Sequence, residues 1–269
     1  MSGNIQLLTD TLARAKRERR AALVTYLPAG FPTVDGGIAA ITAALDSGAD
    51  IMEIGLPHSD PVLDGPTVQT AAEIARRGGT RIGDVLRTVR ETHRATGKPV
   101  LVMSYWNPIS RYGIERFAAE LAAAGGAGCV LPDLPVQESA RWRAHAAAHD
   151  LATVFVVAPS TTTERLHEIT AAGTGFVYAA ALMGVTGSGG PLGDTAADLV
   201  RRIRTTTDLP VCVGIGITNA ARAAAVASYA DGVIVGAALV RAALDAPDAS
   251  AGRAAVRELV RDLAVGMRG

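Results

Sequence analysis

The 269 residues are 49% apolar and carry 26 basic against 26 acidic side chains, so no net basic field speaks for nucleic acid or an anionic membrane. That length suits one large α/β unit or two small ones, with ample material for a buried core. No apolar run approaches the ~20 residues of a membrane helix. The polar start Met1-Ser2-Gly3-Asn4 is unlike a signal peptide, and Cys129 and Cys212 stand alone in apolar runs, as buried thiols of a reducing, cytoplasmic setting do.

In chain order, an amphipathic helix is predicted over Asn4–Glu18, its basic run Arg14 to Arg20 reading as a solvated face. Strands follow at Ala22–Leu27, Asp50–Gly55, Val100–Ser104, Gly128–Leu131, Thr153–Val157, Gly175–Ala179, Val211–Gly214 and Gly232–Val235. Each is a short apolar run, most of them rich in Val or Ile, as parallel strands covered on both faces should be. Between them lie helical patterns at Val34–Ser47, Ile82–Thr96, Ile114–Ala124, Glu138–Ala148, Glu164–Ala172 and Ala196–Thr206, with Pro and Gly at the joins. Eight strands alternating with helices is the count of a closed (β/α)8 TIM barrel, here with an extra N-terminal helix closing the bottom. An open doubly wound sheet fits less well, because no strand–GxGxxG–helix opening occurs. No Pro-, Ser- or charge-rich linker divides the chain, so residues 1–269 read as one domain.

In such a barrel the C-terminal strand ends carry the chemistry. Glu53, in Asp50-Ile51-Met52-Glu53-Ile54-Gly55, alternates with outward-facing residues and should point into the barrel near its top. A carboxyl among apolar neighbours has its charged form disfavoured, which suits acid–base duty. The Pro-punctuated loop after it offers Asp60 and Asp64 as a second carboxylate. On spacing alone Asp64-Gly65-Pro66-Thr67 reads rather as the N-cap and opening turn of a helix. In the second half, Val213-Gly214-Ile215-Gly216-Ile217 leaves one strand without obstructing side chains. Val235-Gly236-Ala237-Ala238 leaves the next where a helix N-terminus can meet an anion. His145 and His149 have helical i,i+4 spacing but no third ligand, so no metal site is expected. His93 and His167 read as solvent-facing, His58 as a possible support in the second loop, and Ser188 lacks the strand–turn–helix setting of a nucleophile.

The run Glu53-Ile54-Gly55-Leu56-Pro57-His58-Ser59-Asp60-Pro61-Val62-Leu63-Asp64-Gly65-Pro66 closely resembles the signature of tryptophan synthase alpha subunits. Tyr26-Leu27-Pro28-Ala29-Gly30, Pro132-Asp133-Leu134-Pro135 with Glu138-Ser139, Gly184-Val185-Thr186-Gly187 and Gly214-Ile215-Gly216 extend the resemblance over nearly the whole chain. It implies retro-aldol cleavage of indole-3-glycerol phosphate to indole and glyceraldehyde 3-phosphate. Glu53 would protonate indole C3 and manage the proton of the glycerol hydroxyl. Asp64 would accept the indole N–H, and Tyr178 would stand beside the substrate and Glu53. Tyr26 and Thr186 would line the substrate, with the phosphate on amides at Gly187, Gly214, Gly216, Gly236 and Ala237. The resemblance implies no cofactor in this chain, a beta partner carrying pyridoxal phosphate, and an alpha2-beta2 complex.

Two departures stand out. Ala237 replaces a serine common in the family, and Ala181-Leu182 replaces a Ser-Arg pair whose arginine helps order the closing loop. A free-standing indole-3-glycerol-phosphate lyase and a catalytically weak, partner-regulating barrel share these features and remain as alternatives.

Overall fold

In the computed structural model, which describes residues 3–180, 193–214 and 216–268, most strands are followed by one or two helices. The order is α1 (Asn4–Arg17), β1 (Ala22–Pro28), α2 (Val34–Asp46), β2 (Ile51–Gly55), α3 (Pro66–Arg77), α4 (Ile82–Thr96), β3 (Val100–Met103), α5 (Trp106–Tyr112), α6 (Ile114–Ala123) and β4 (Gly128–Val130). A 3-10 turn (Val136–Glu138) then leads into α7 (Ala140–Ala148), β5 (Ala152–Val154), β6 (Val156–Val157), α8 (Thr163–Ala172), β7 (Val177–Ala180) and α9 (Gly193–Arg204). The chain continues through β8 (Val211–Gly214), α10 (Ala220–Ala227), β9 (Gly232–Val235), α11 (Ala237–Leu244) and α12 (Ala249–Gly266).

All ladders are parallel, in the order β5-β4-β3-β2-β1-β9-β8-β7-β6. The two end segments are consecutive in the chain, and Phe155 between them accepts a hydrogen bond from Tyr178 N–H at 3.0 Å. The predicted fifth strand is therefore one barrel strand in two pieces: its lower part pairs with β4 and its upper part with β7. Nine segments make an eight-stranded barrel.

Strand alternation sorts the core into two layers. In β2, Ile51 joins the cluster inside the barrel, while Met52 and Ile54 join the larger cluster between strands and helices. Leu8, Leu12 and Ala15 of α1 belong to the inner cluster, so this helix plugs the N-terminal end as expected. The outer helices meet through small residues, among them Ala40 and Ala44 of α2, Ala71 and Ala75 of α3 and Ala118 of α6, all buried.

Local chemistry sets the helix ends. Thr33 caps α2 by accepting from Gly36 N–H at 3.1 Å. The Asp84 carboxylate accepts from Arg81 N–H at 2.9 Å at the start of α4, and Gly97 ends it in a left-handed conformation with φ +64°. The pattern over Glu138–Ala148 divides, because the 3-10 turn precedes α7 and Ser139 lies between them. The basic run is also only partly solvated. Arg20 turns inward and grips Asp50 with two hydrogen bonds of 2.6 and 2.8 Å, and Asp50 also accepts from Leu23 N–H at 2.9 Å.

Candidate active site

The C-terminal ends of the strands surround a cavity of about 530 Å³. Glu53 enters it from β2 and is 1% exposed. Neither of its carboxyl oxygens has a hydrogen-bond partner among the described residues. A buried carboxyl with nothing to stabilise its charge keeps its proton, and burial pushes this one up to about 8.

Asp64 reaches the same cavity from the loop between β2 and α3. Asp64 N–H donates to Pro61 O at 3.0 Å, closing a turn, and Gln69 Nε2 donates to Asp64 O at 2.7 Å. Gly65 takes the N-cap place of α3 and Pro66 its first position. Tyr105, at the end of β3, accepts from Leu63 N–H at 2.9 Å, and its ring lies 5.1 Å from that of His58. Burial raises the Asp64 carboxyl to about 6, and a hydrogen bond with the Tyr105 side chain holds the shift back. Burial thus raises both carboxyls, Glu53 further than Asp64, so that Asp64 is the first of the two to ionise as pH rises. Asp60 is exposed and lines neither this cavity nor its neighbour.

Tyr26 and Tyr178, both buried, complete the walls. Tyr26 is the register partner of Glu53, and its hydroxyl fills the space above Gly55, where any Cβ would collide with it. The Tyr178 hydroxyl likewise fills the space above Gly214. Gly214 is not among the described residues that line the cavity, and its missing side chain makes room for Tyr178.

The other end of the cavity is formed by Gly216, Ile217, Thr218, Gly236 and Ala237. Gly216 has φ +82°, a conformation that favours glycine, and its carbonyl accepts from Arg222 Nη1 at 2.8 Å. Gly236 precedes α11, so the first amides of that helix face this end without intrahelical partners. No Lys or Arg lines the cavity among the described residues, leaving backbone N–H groups and the Thr218 hydroxyl for an anion. A second cavity of about 990 Å³ shares Tyr26, Asp64, Met103 and Tyr178 and extends over apolar Leu56, Pro132 and Val156.

Thr186, Gly187 and the Ala181-Leu182 pair lie outside the described residues. Tyr105 and Thr218 escaped the sequence reading, although Tyr105 follows β3 at the face where barrel enzymes place their chemistry. Asp133, part of a quoted motif, accepts from Trp106 N–H at 2.9 and 3.0 Å and so anchors the start of α5. His167 is exposed, but His93 is half-buried, with Nδ1 3.2 Å from Lys98 O. Among the described residues no group of three His, Cys, Asp or Glu side chains gathers to hold a metal.

Fold and cavity together describe a (β/α)8 barrel that brings two unequally buried carboxyls to one cavity at the C-terminal strand ends, with glycine-rich backbone at its other side. Residues 12–267 match the family described as tryptophan synthase alpha chain. The chain is 71% identical over 269 residues to the tryptophan synthase alpha chain of Streptomyces coelicolor, covering 100% of this chain and 99% of that one. To the Nocardia farcinica protein it is 52% identical over 261 residues, covering 97% and 96%. Among solved structures, Mycobacterium tuberculosis tryptophan synthase superposes with TM-score 0.91 at 46% identity, covering 97% of this chain and 98% of that one. The alpha subunit from Legionella pneumophila gives 0.89 at 31% identity, covering 99% of each. The chain belongs to the tryptophan synthase alpha chain family, the carbon–carbon lyases that cleave indole-3-glycerol phosphate in tryptophan biosynthesis.

Proposed function

We propose that the two unequal carboxyls divide the alpha reaction between them. Protonated Glu53 delivers its proton to indole C3, which becomes tetrahedral and leaves positive charge on the ring. Ionised Asp64 accepts the N1–H and stabilises that charge. The Glu53 carboxylate then takes the proton of the glycerol hydroxyl next to C3. As the carbon–carbon bond breaks, its electron pair returns to the ring, releasing indole and glyceraldehyde 3-phosphate. Glu53 ends protonated, as it began. Tyr26 and Tyr178 flank the reacting atoms, and the phosphate lies on the amides of Gly216, Gly236 and Ala237, with Thr186 and Gly187 completing the site. The observation that carries this reading is the pairing of a partnerless buried Glu53 with the Tyr105-supported Asp64 in one cavity.

The solved M. tuberculosis relative is a tryptophan synthase. By that likeness this chain works with a beta subunit in an alpha2-beta2 complex in the cytoplasm, the pyridoxal phosphate residing in the beta partner and the chain needing no cofactor of its own. Indole release from indole-3-glycerol phosphate, measured with and without a cognate beta subunit, tests this. Slow release strongly accelerated by the partner is expected. Fast release by the chain alone would make it a free-standing lyase, and no release in either case would leave a binding role.

A further inference from the structure

Tyr26 and Tyr178 follow one placement rule. Each is register-paired with a residue on a neighbouring strand, Tyr26 with Glu53 and Tyr178 with Cys212. Each then leans over the glycine two positions further along that strand, Gly55 and Gly214. Residues two apart on a strand face the same way. The Tyr26 hydroxyl over Gly55 therefore sits directly on the cavity side of Glu53. Its ring is braced from behind by Gly236, where a Cβ would lie 3.3 Å from the Tyr26 Cβ. A carboxylate has two oxygens and about four acceptor sites, and neither Glu53 oxygen has a partner among the described residues. The ionisable groups around Glu53 are Tyr26 from β1, Tyr178 from β7, Cys212 from β8, and Asp64 with Tyr105 at the rim. None is a cation. When Glu53 gives up its proton, its charge is met by neutral donors or by substrate as far as the described residues go, and the hydroxyls are stronger donors than the Cys212 thiol.

We propose that Tyr26 is a positioning residue for Glu53: its hydroxyl, seated over Gly55, donates to the Glu53 carboxylate between the two proton transfers. Tyr178 holds the other side. The ring of Tyr26 serves packing, and the hydroxyl alone serves the charge. This rests on Glu53 being the acid–base residue.

The test compares Tyr26→Phe, Tyr26→3-fluorotyrosine and Glu53→Gln with the parent chain, assayed with its beta subunit. Enzyme carrying ¹³C-labelled glutamate carboxyls lets Glu53 be titrated directly, its resonance being the one missing in Glu53→Gln. Tyr26→Phe should lower kcat about tenfold, leave KM within about twofold and move the Glu53 titration to higher pH. Tyr26→3-fluorotyrosine, a stronger donor of nearly the same shape, should move the titration to lower pH. An unchanged Glu53 titration in both Tyr26 variants, or a loss confined to KM, would overturn the proposal. Should Glu53→Gln retain turnover, the acid–base reading itself fails. If Glu53→Gln is inactive while Tyr26→Phe matches the parent in kcat and titration, only the role of Tyr26 fails.

Discussion

Glu53 and Asp64 are the same kind of group under different constraints. Glu53 is locked on a strand among apolar neighbours, so its proton stays on. Asp64 sits on a loop with a phenol beside it, so it ionises first. Asp64→Asn removes the anion while preserving shape. It should lower turnover by two orders of magnitude or more in steady-state assays, as the loss of a charge stabiliser does; an unchanged rate would return Asp64 to a purely structural turn. At the anion end, Ala237→Ser adds a hydroxyl at the start of α11. Inorganic phosphate should then bind several-fold tighter by calorimetry, since a hydrogen bond to a charged acceptor contributes ~1.5–3 kcal/mol before entropy is counted. Equal affinity would mean that the amides suffice.

Among the elements, the ion pair at the bottom of the barrel bears on stability rather than chemistry. The Arg20 side chain is 15% exposed and that of Asp50 9%, and Asp50 also satisfies Leu23 N–H. Both groups join the α1–β1 connection to the start of β2, three residues before Glu53 and so ~10 Å below it along the strand. Asp50→Ala leaves the guanidinium with only the exposed Glu18 as its ion partner and the Leu23 amide unpaired, and should cost ~2 kcal/mol in urea unfolding. With kcat preserved, that result would separate the two ends of the barrel. A fall in kcat in the folded variant would show that they are coupled.

For the whole molecule, the site destabilises the fold that carries it. A carboxyl raised from 4.5 to about 8 binds its proton more tightly in the folded than in the unfolded chain. Stability therefore falls as pH rises from about 4.5, and the loss saturates only above the unfolded value by the full shift, near pH 8. Asp64, raised from 3.8 to about 6, adds the same sign over a lower window. Glu53→Gln cannot ionise, so it should unfold later than the parent at pH 8–9, by up to ~4 kcal/mol, with the advantage shrinking towards pH 5. Parallel unfolding curves for the two proteins across this range would mean that Glu53 is not held protonated.

Periodicity and local punctuation made the barrel legible: Val211–Gly214, Gly232–Val235 and Ile82–Thr96 occur with the limits read from the sequence. These are signals a segment carries alone, since alternation, caps and glycine ends act within a few residues. Glu53 was legible for the same reason, because strand alternation points it inward. The elements α5, α10 and α12 were not foreseen, and neither were the division of the fifth strand at Phe155, the inward turn of Arg20, the phenol of Tyr105 beside Asp64, or the room that Gly214 makes for Tyr178. The helices carry local signals that went unread, such as the Asp248 cap of α12 and its buried Val256, Val260 and Leu263 at helical spacing; each of the others depends on a contact between residues distant in sequence. The protonation states of the two carboxyls belong with them. Sequence determines which residue types stand at the strand ends, but only the folded neighbours decide how much water and which donors each carboxyl retains, and that sets which one keeps its proton.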